Sequence, residues 1–235
     1  MRRLFLEKGL SMTEALWTAV DEYITHMLVP PDPVLDAALV ASDAAGLPAI
    51  QVTPNQGKLL HLLARIQGAR RILEIGTLGG YSTIWLARAL PGDGLLITLE
   101  ADPRHAEVAR ANISRAGLDA MVDLRVGRAL ETLPRITAGN GGAFDLIFID
   151  ADKQSIPEYF RFARKLSSRG SLIIVDNVIR DGRVIAAASD DPDILGIRRF
   201  NEMLATEPGV CATAIQTVGA KGHDGFAIVL VTEPS

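Results

Sequence analysis

From Arg71 onward, apolar and polar positions alternate between two kinds of segment. Short apolar runs at 71–75, 95–99, 121–126, 144–149 and 171–175 have the length of buried strands. Between them lie stretches with apolar residues at helical spacing, and Pro91-Gly92-Asp93-Gly94 reads as a turn. Asp102-Pro103 opens a helix that ends at Gly117, and Ser155 with Pro157 opens another. Strands alternating with helices imply right-handed crossovers and a parallel sheet covered on both faces. After Asn177 the rhythm changes to a polar loop, a helix near 193–206 and two longer runs, 211–217 and 225–232. These two runs, joined by a glycine-rich loop from Gly219 to Gly225, look like an antiparallel hairpin. Ahead of the sheet, residues 13–67 read as helices only. Thr13 is placed to cap a helix with Leu16, Val20, Tyr23, Ile24 and Met27 on one face. Asp32-Pro33 and Thr53-Pro54 open two more, the second stopping at Gly68.

Composition narrows the class. At 235 residues, with 48% hydrophobic and 22% charged residues, the chain is an ordinary globular protein with ample core. A net charge of −4 argues against strong non-specific nucleic-acid binding. Cys211 is the single cysteine, which excludes an intrachain disulfide and a cysteine-based zinc site, and its strand position predicts burial. No apolar run is long enough for a membrane span, and the first residues lack the apolar core of a signal peptide, so a cytoplasmic location is expected. His26, His61, His105 and His223 show no ligand spacing and read as surface or packing residues, as do Trp17 and Trp85.

The chemistry gathers where strands end. The run Ile72–Ile75 breaks into Gly76-Thr77-Leu78-Gly79-Gly80 and resumes as a helix at Tyr81. Such a turn brings bare N–H groups and a helix N-terminus up to a ligand, although it is equally compatible with a turn that binds nothing. The spacing matches neither the dinucleotide fingerprint nor a P-loop. Glu74 precedes the turn and Glu100 ends the next run, at about the distance from which a carboxylate reaches a ribose. A cofactor with a ribose and a cationic amino-acid part, without phosphate, fits better than NAD. The fourth run ends in Asp150-Ala151-Asp152-Lys153 and the fifth in Asp176-Asn177. Each aspartate alone is also an ordinary helix cap. Together, Asp150, Asp176 and Asn177 offer three hard oxygen donors, too few for a calcium cage and suited to Mg²⁺ with open positions. Lys153 would project into the same space.

These residues resemble the cation-dependent, S-adenosylmethionine-dependent O-methyltransferases, the family of catechol and caffeoyl-CoA O-methyltransferases and small bacterial relatives. The resemblance runs from about Gln51 to the C-terminus and rests on LEIGTLGGYS (73–82), Glu100, IDADK (149–153) and VDN (175–177). It implies an α/β, Rossmann-like class I methyltransferase fold with a seven-stranded, mostly parallel sheet, a C-terminal antiparallel hairpin and N-terminal helices. The implied organisation is one methyltransferase domain over 1–235, with a disordered extension over 1–12, a helical cap over 13–67 and an α/β core over 68–235. On the same basis Glu74, Gly76, Gly79 and Gly80 would hold the methionine part of S-adenosyl-L-methionine, with Tyr81 and Ser82 at its carboxylate and Asp152 at its amino group. Glu100 would take the ribose hydroxyls, while Ala129 and Val52 would make backbone contacts. Asp150, Asp176 and Asn177 would be metal ligands, and Lys153 with Asp150 the catalytic residues. The implied acceptor is a small aromatic vicinal diol, and the implied assembly a homodimer. A tRNA acceptor, methylated on a hydroxyuridine, is the alternative; it would need a basic surface drawn from Arg161, Arg164, Lys165, Arg169, Arg180, Arg183, Arg198 and Arg199.

Overall fold

The computed structural model describes residues 12–139 and 141–233. Seven strands form one sheet: β1 (Arg71–Ile75), β2 (Leu95–Glu100), β3 (Val122–Val126), β4 (Phe144–Ile149), β5 (Ser167–Asp176), β6 (Val210–Gly219) and β7 (Gly222–Val231). Their order is β3-β2-β1-β4-β5-β7-β6. The first five are parallel, and β7 runs antiparallel to both β5 and β6. The chain therefore winds outward from β1 to β3, then crosses back to lay β4 on the other side of β1. That reversal leaves a crevice beyond the carboxyl ends of β1 and β4.

Eight helices accompany the sheet among the described residues: α1 (Met12–Leu28), α2 (Pro33–Ala44), α3 (Pro54–Gln67), α4 (Tyr81–Ala87), α5 (Pro103–Arg115), α6 (Ala129–Ala138), α7 (Ile156–Lys165) and α8 (Pro192–Thr206). Neighbouring strand residues point to opposite faces, so Ile72 joins a core with α2 to α5, and Leu73 joins one with α6 to α8. Asp32, Thr53 and Asp102 cap their helices through side-chain oxygens ahead of a first-turn proline.

Several sequence expectations change. Of the extension expected over 1–12, residues 1–11 lie outside the described residues and Met12 is already helical, and Thr13 sits inside α1 rather than capping it. The glycine-rich segment 219–225 is mostly strand: Gly219 pairs with Gly222, leaving a two-residue turn at Ala220-Lys221. Cys211 is exposed on β6, the edge strand of the sheet. The apolar face of α1 is likewise exposed at Leu16, Val20, Tyr23 and Met27.

Glu74 ties the sheet to the glycine turn. It is fully buried on the α4 side of β1. It accepts hydrogen bonds from the hydroxyls of Ser82 (2.6 Å) and Thr83 on α4 and from Thr98 (2.7 Å) on β2. Burial pushes its pKa up to about 7, although the three hydroxyls favour the ionised form. From its ordinary 4.5 to about 7 the folded state keeps a proton that the unfolded chain has released, so Glu74's contribution to stability falls as pH rises through this window. Denaturant unfolding of wild type and Glu74→Gln should show this directly. The wild type is expected to lose up to about 3 kcal/mol relative to the variant across that range, at about 1.36 kcal/mol per pKa unit. A pH-independent difference would contradict the assignment.

Candidate active site

The crevice opens into a cavity of about 900 Å³ above the carboxyl ends of the strands. Backbone hydrogen bonds set its floor: Gly76 N donates to Leu99 O (3.0 Å) and Asp150 N to Ile75 O (2.9 Å). Gly76 has φ +99°, and a Cβ there would overlap the Asp150 carbonyl. Glycine is therefore required for β1 and β4 to end side by side. Val52, Gly76, Tyr81, Ser82, Glu100, Ala129, Asp150, Asp152, Lys153, Asp176 and Asn177 all line this one cavity. Glu74 and Gly80 do not. Glu74 lies behind the wall and holds Ser82, while Gly80, with φ +82°, starts α4 against Ala109.

On the β1–β2 side, Glu100 is held rigidly. Its Oε2 accepts the backbone N–H groups of Leu78 (2.8 Å) and Thr77 (3.3 Å), and its Oε1 accepts that of Asp102 (2.8 Å). His105 stands 3.6 Å from Oε1 and also lines the cavity. Such a fixed, almost buried carboxylate is preorganised to accept from paired hydroxyls. Across the cavity Asp152 accepts from Tyr159 Oη (2.5 Å) and from Ser155 N (3.2 Å).

On the β4–β5 side, carboxylates meet. Asp176 is 5% exposed; its Oδ2 accepts from Gln56 Nε2 (2.6 Å) and its Oδ1 from Asn177 N (2.8 Å). Burial first, and then the charge of Asp150, push its pKa up to about 7, against the opposing effect of Lys153. Lys153 is 8% exposed and its Nζ lies 3.0 Å from Asp150 Oδ1. Lys153 starts a short 3₁₀ turn (Lys153–Ser155) that α8 packs down, and Gly196 is glycine because a Cβ would overlap the Lys153 carbonyl. Asn177 adopts φ +61°, a left-handed conformation that asparagine tolerates.

Two carboxylates, one of which holds up the other's pKa, next to a carboxamide form a hard oxygen set that a divalent cation would relieve. Three such donors would leave coordination positions for water and substrate; among the described residues no group of three or more His, Cys, Asp or Glu is placed to hold a metal ion.

The structure adds Gln56, from the first turn of α3, and Lys221, from the β6–β7 turn, and it brings to the cavity His105 from α5 and Arg180 from the loop after Asn177, which the sequence reads as a surface or packing residue and as part of a basic surface. Of the arginines considered for a basic surface, Arg164 is buried against Glu207, and Arg161, Arg180 and Arg183 pair with Glu158, with Asp193 and Asp224, and with Asp191. A nucleic-acid face therefore gains no support from them.

Residues 34–230 match the family model described as O-methyltransferase. A catechol O-methyltransferase from Niastella koreensis is 52% identical over 220 residues, covering 94% of this chain and all of that protein. Among solved structures, an O-methyltransferase from Bacillus cereus in complex with SAH is 56% identical with a TM-score of 0.91, covering 92% of this chain and 99% of that one. The O-methyltransferase TomG from Streptomyces achromogenes, involved in tomaymycin synthesis and solved with SAM, is 50% identical with a TM-score of 0.91, covering 94% of this chain and all of that one. With a family model spanning most of its length and relatives above half identity, this chain belongs to the O-methyltransferase family.

Proposed function

We propose that this protein transfers the methyl group of S-adenosylmethionine to a hydroxyl of a small aromatic vicinal diol, of catechol or caffeoyl type, with a divalent cation such as Mg²⁺ at Asp150, Asp176 and Asn177. The observation that carries this reading is the meeting of Asp150 and Asp176 beside Lys153 on the same rim as Glu100. A relative named catechol O-methyltransferase, and solved relatives holding SAH and SAM, support it.

On this reading Glu100 takes both ribose hydroxyls with a carboxylate already fixed by three N–H groups. Gly76, Tyr81, Ser82 and Asp152 hold the methionine part, and Val52 and Ala129 contact the cofactor through their backbones. Glu74 and Gly80 act from behind, keeping Ser82 and the turn in place. The donor supplies a methyl on a sulfonium, which needs no further activation. When bound, the cation lowers the pKa of a phenol, ordinarily near 10 like that of tyrosine, and favours acceptors offering two adjacent oxygens. Lys153, held at 3.0 Å by Asp150 and almost fully buried, steers or accepts the hydroxyl proton at its Nζ. The helical segment supplies Val52 and Gln56, so it and the sheet work as one domain. A homodimer would cover the exposed apolar face of α1.

Asp150→Ala should lose cation-dependent turnover by at least about a hundredfold while still binding S-adenosylhomocysteine in calorimetry; full activity would refute the metal assignment. Glu100→Ala should weaken S-adenosylhomocysteine binding by about 10- to 100-fold, and an unchanged affinity would remove Glu100 from the cofactor site. Light scattering of Leu16→Glu/Tyr23→Glu should report a monomer where the wild type reports a dimer; a monomeric wild type would contradict the proposed interface.

A further inference from the structure

Asp152 stands on an exposed turn, where little backbone surrounds it. It caps the 3₁₀ turn Lys153–Ser155, and its Oδ2 accepts from Ser155 N at 3.2 Å. The outer torsion of an aspartate side chain is broad, so one cap bond alone leaves the plane of the carboxylate free to turn. Glu100, at the other end of the cofactor side of the cavity, is fixed by three backbone N–H groups. Asp152 has only one such group.

Tyr159, from the first turn of α7, supplies the missing restraint. Its Oη donates to Asp152 Oδ1 at 2.5 Å. The tyrosine is 4% exposed, and its ring belongs to the core that also holds Ala129, Leu133 and Phe160. The donor is therefore anchored by packing while the acceptor lies at the surface, so the tyrosine sets where the carboxylate points and not the reverse. Burial first, and then the hydrogen bond to Asp152 and its charge, push the phenol's pKa up, so Tyr159 stays protonated and keeps donating. With one bond on each oxygen, the Asp152 carboxylate still has lone pairs to offer. Both residues line the cavity.

We infer that Tyr159 is a positioning residue for the methyl donor: it holds the Asp152 carboxylate toward the ammonium of the donor's methionine part. The inference rests on the placement of Asp152 at that ammonium, proposed above, and adds the residue through which Asp152 acts. A carboxylate already held in one direction loses little freedom when the donor binds, so the contribution of the phenol appears as affinity. A buried phenol also needs an acceptor for its own sake, and that packing role makes different predictions.

Calorimetry with S-adenosylhomocysteine and with methylthioadenosine, which lacks the amino-acid part, separates the two roles. Tyr159→Phe keeps the ring and removes one oxygen. It is expected to weaken S-adenosylhomocysteine binding about tenfold, the size of one hydrogen bond to a charged group, and to leave methylthioadenosine binding within about twofold of wild type. The KM for S-adenosylmethionine should rise by a similar factor, with kcat at saturating donor falling by less than about twofold. In an Asp152→Ala background the same change should weaken binding no further. Wild-type affinity in Tyr159→Phe, with Asp152→Ala weakened, would overturn the inference and leave Asp152 at the ammonium. Equal losses for the two ligands, or a full further loss on top of Asp152→Ala, would overturn it as well, because either result marks the phenol as packing. Unchanged S-adenosylhomocysteine affinity in Asp152→Ala would overturn both the inference and the placement of Asp152.

Discussion

Asp150 and Asp176 stand at the ends of neighbouring parallel strands, and the charge of Asp150 adds to burial in disfavouring ionisation of Asp176. Few arrangements leave such a pair in place. Lys153 answers part of the charge, Gln56 and the Asn177 N–H answer part of the oxygen demand, and an open face to the cavity leaves room for a cation. Much of the surrounding structure serves to keep this corner assembled. Gly76 allows β1 and β4 to end level with each other, and Gly196 lets α8 press the Lys153 turn against the sheet.

The second half of the rim is made by different physics. Glu100 is held by three backbone N–H groups, one after β2 and two from the glycine turn. Glu74 has no access to the cavity yet fixes the same turn through Ser82, Thr83 and Thr98. One carboxylate faces the site and the other braces it, although both stand at the carboxyl-terminal halves of adjacent strands. Relatives solved with SAH and SAM share the overall fold at TM-scores of 0.91.

The parallel core was legible because its strands are short apolar runs bounded by glycine, proline and aspartate, and Glu100, Asp150 and Asp176 stand at the ends of those runs in the sequence as they do in the structure. The hairpin turn was less legible. Gly219 to Gly225 reads as a loop by composition, but the backbone pairs through Gly219 and Gly222 and turns at Ala220-Lys221. Cys211 and the apolar side of α1 follow the periodicity of buried elements, yet one lies on an edge strand and the other on an outer helix. Periodicity reports that a face is apolar and not what covers it. Gln56 and Lys221 escaped because they reach the cavity from elements far away in sequence and belong to no motif, while His105 and Arg180 were read as a surface or packing residue and as part of a basic surface. Gln56 meets Asp176 across 120 residues of chain.

On the proposed reading, Asp150 and Asp176 would hold one divalent ion next to the methyl donor. The most direct test is anomalous scattering from crystals grown with Mn²⁺ and S-adenosylhomocysteine. A single peak within about 2.2 Å of oxygens from both carboxylates is the predicted result, the bond length expected of a small hard cation. Clear density for the cofactor with no metal peak between the two aspartates, or with a peak on only one of them, would contradict it.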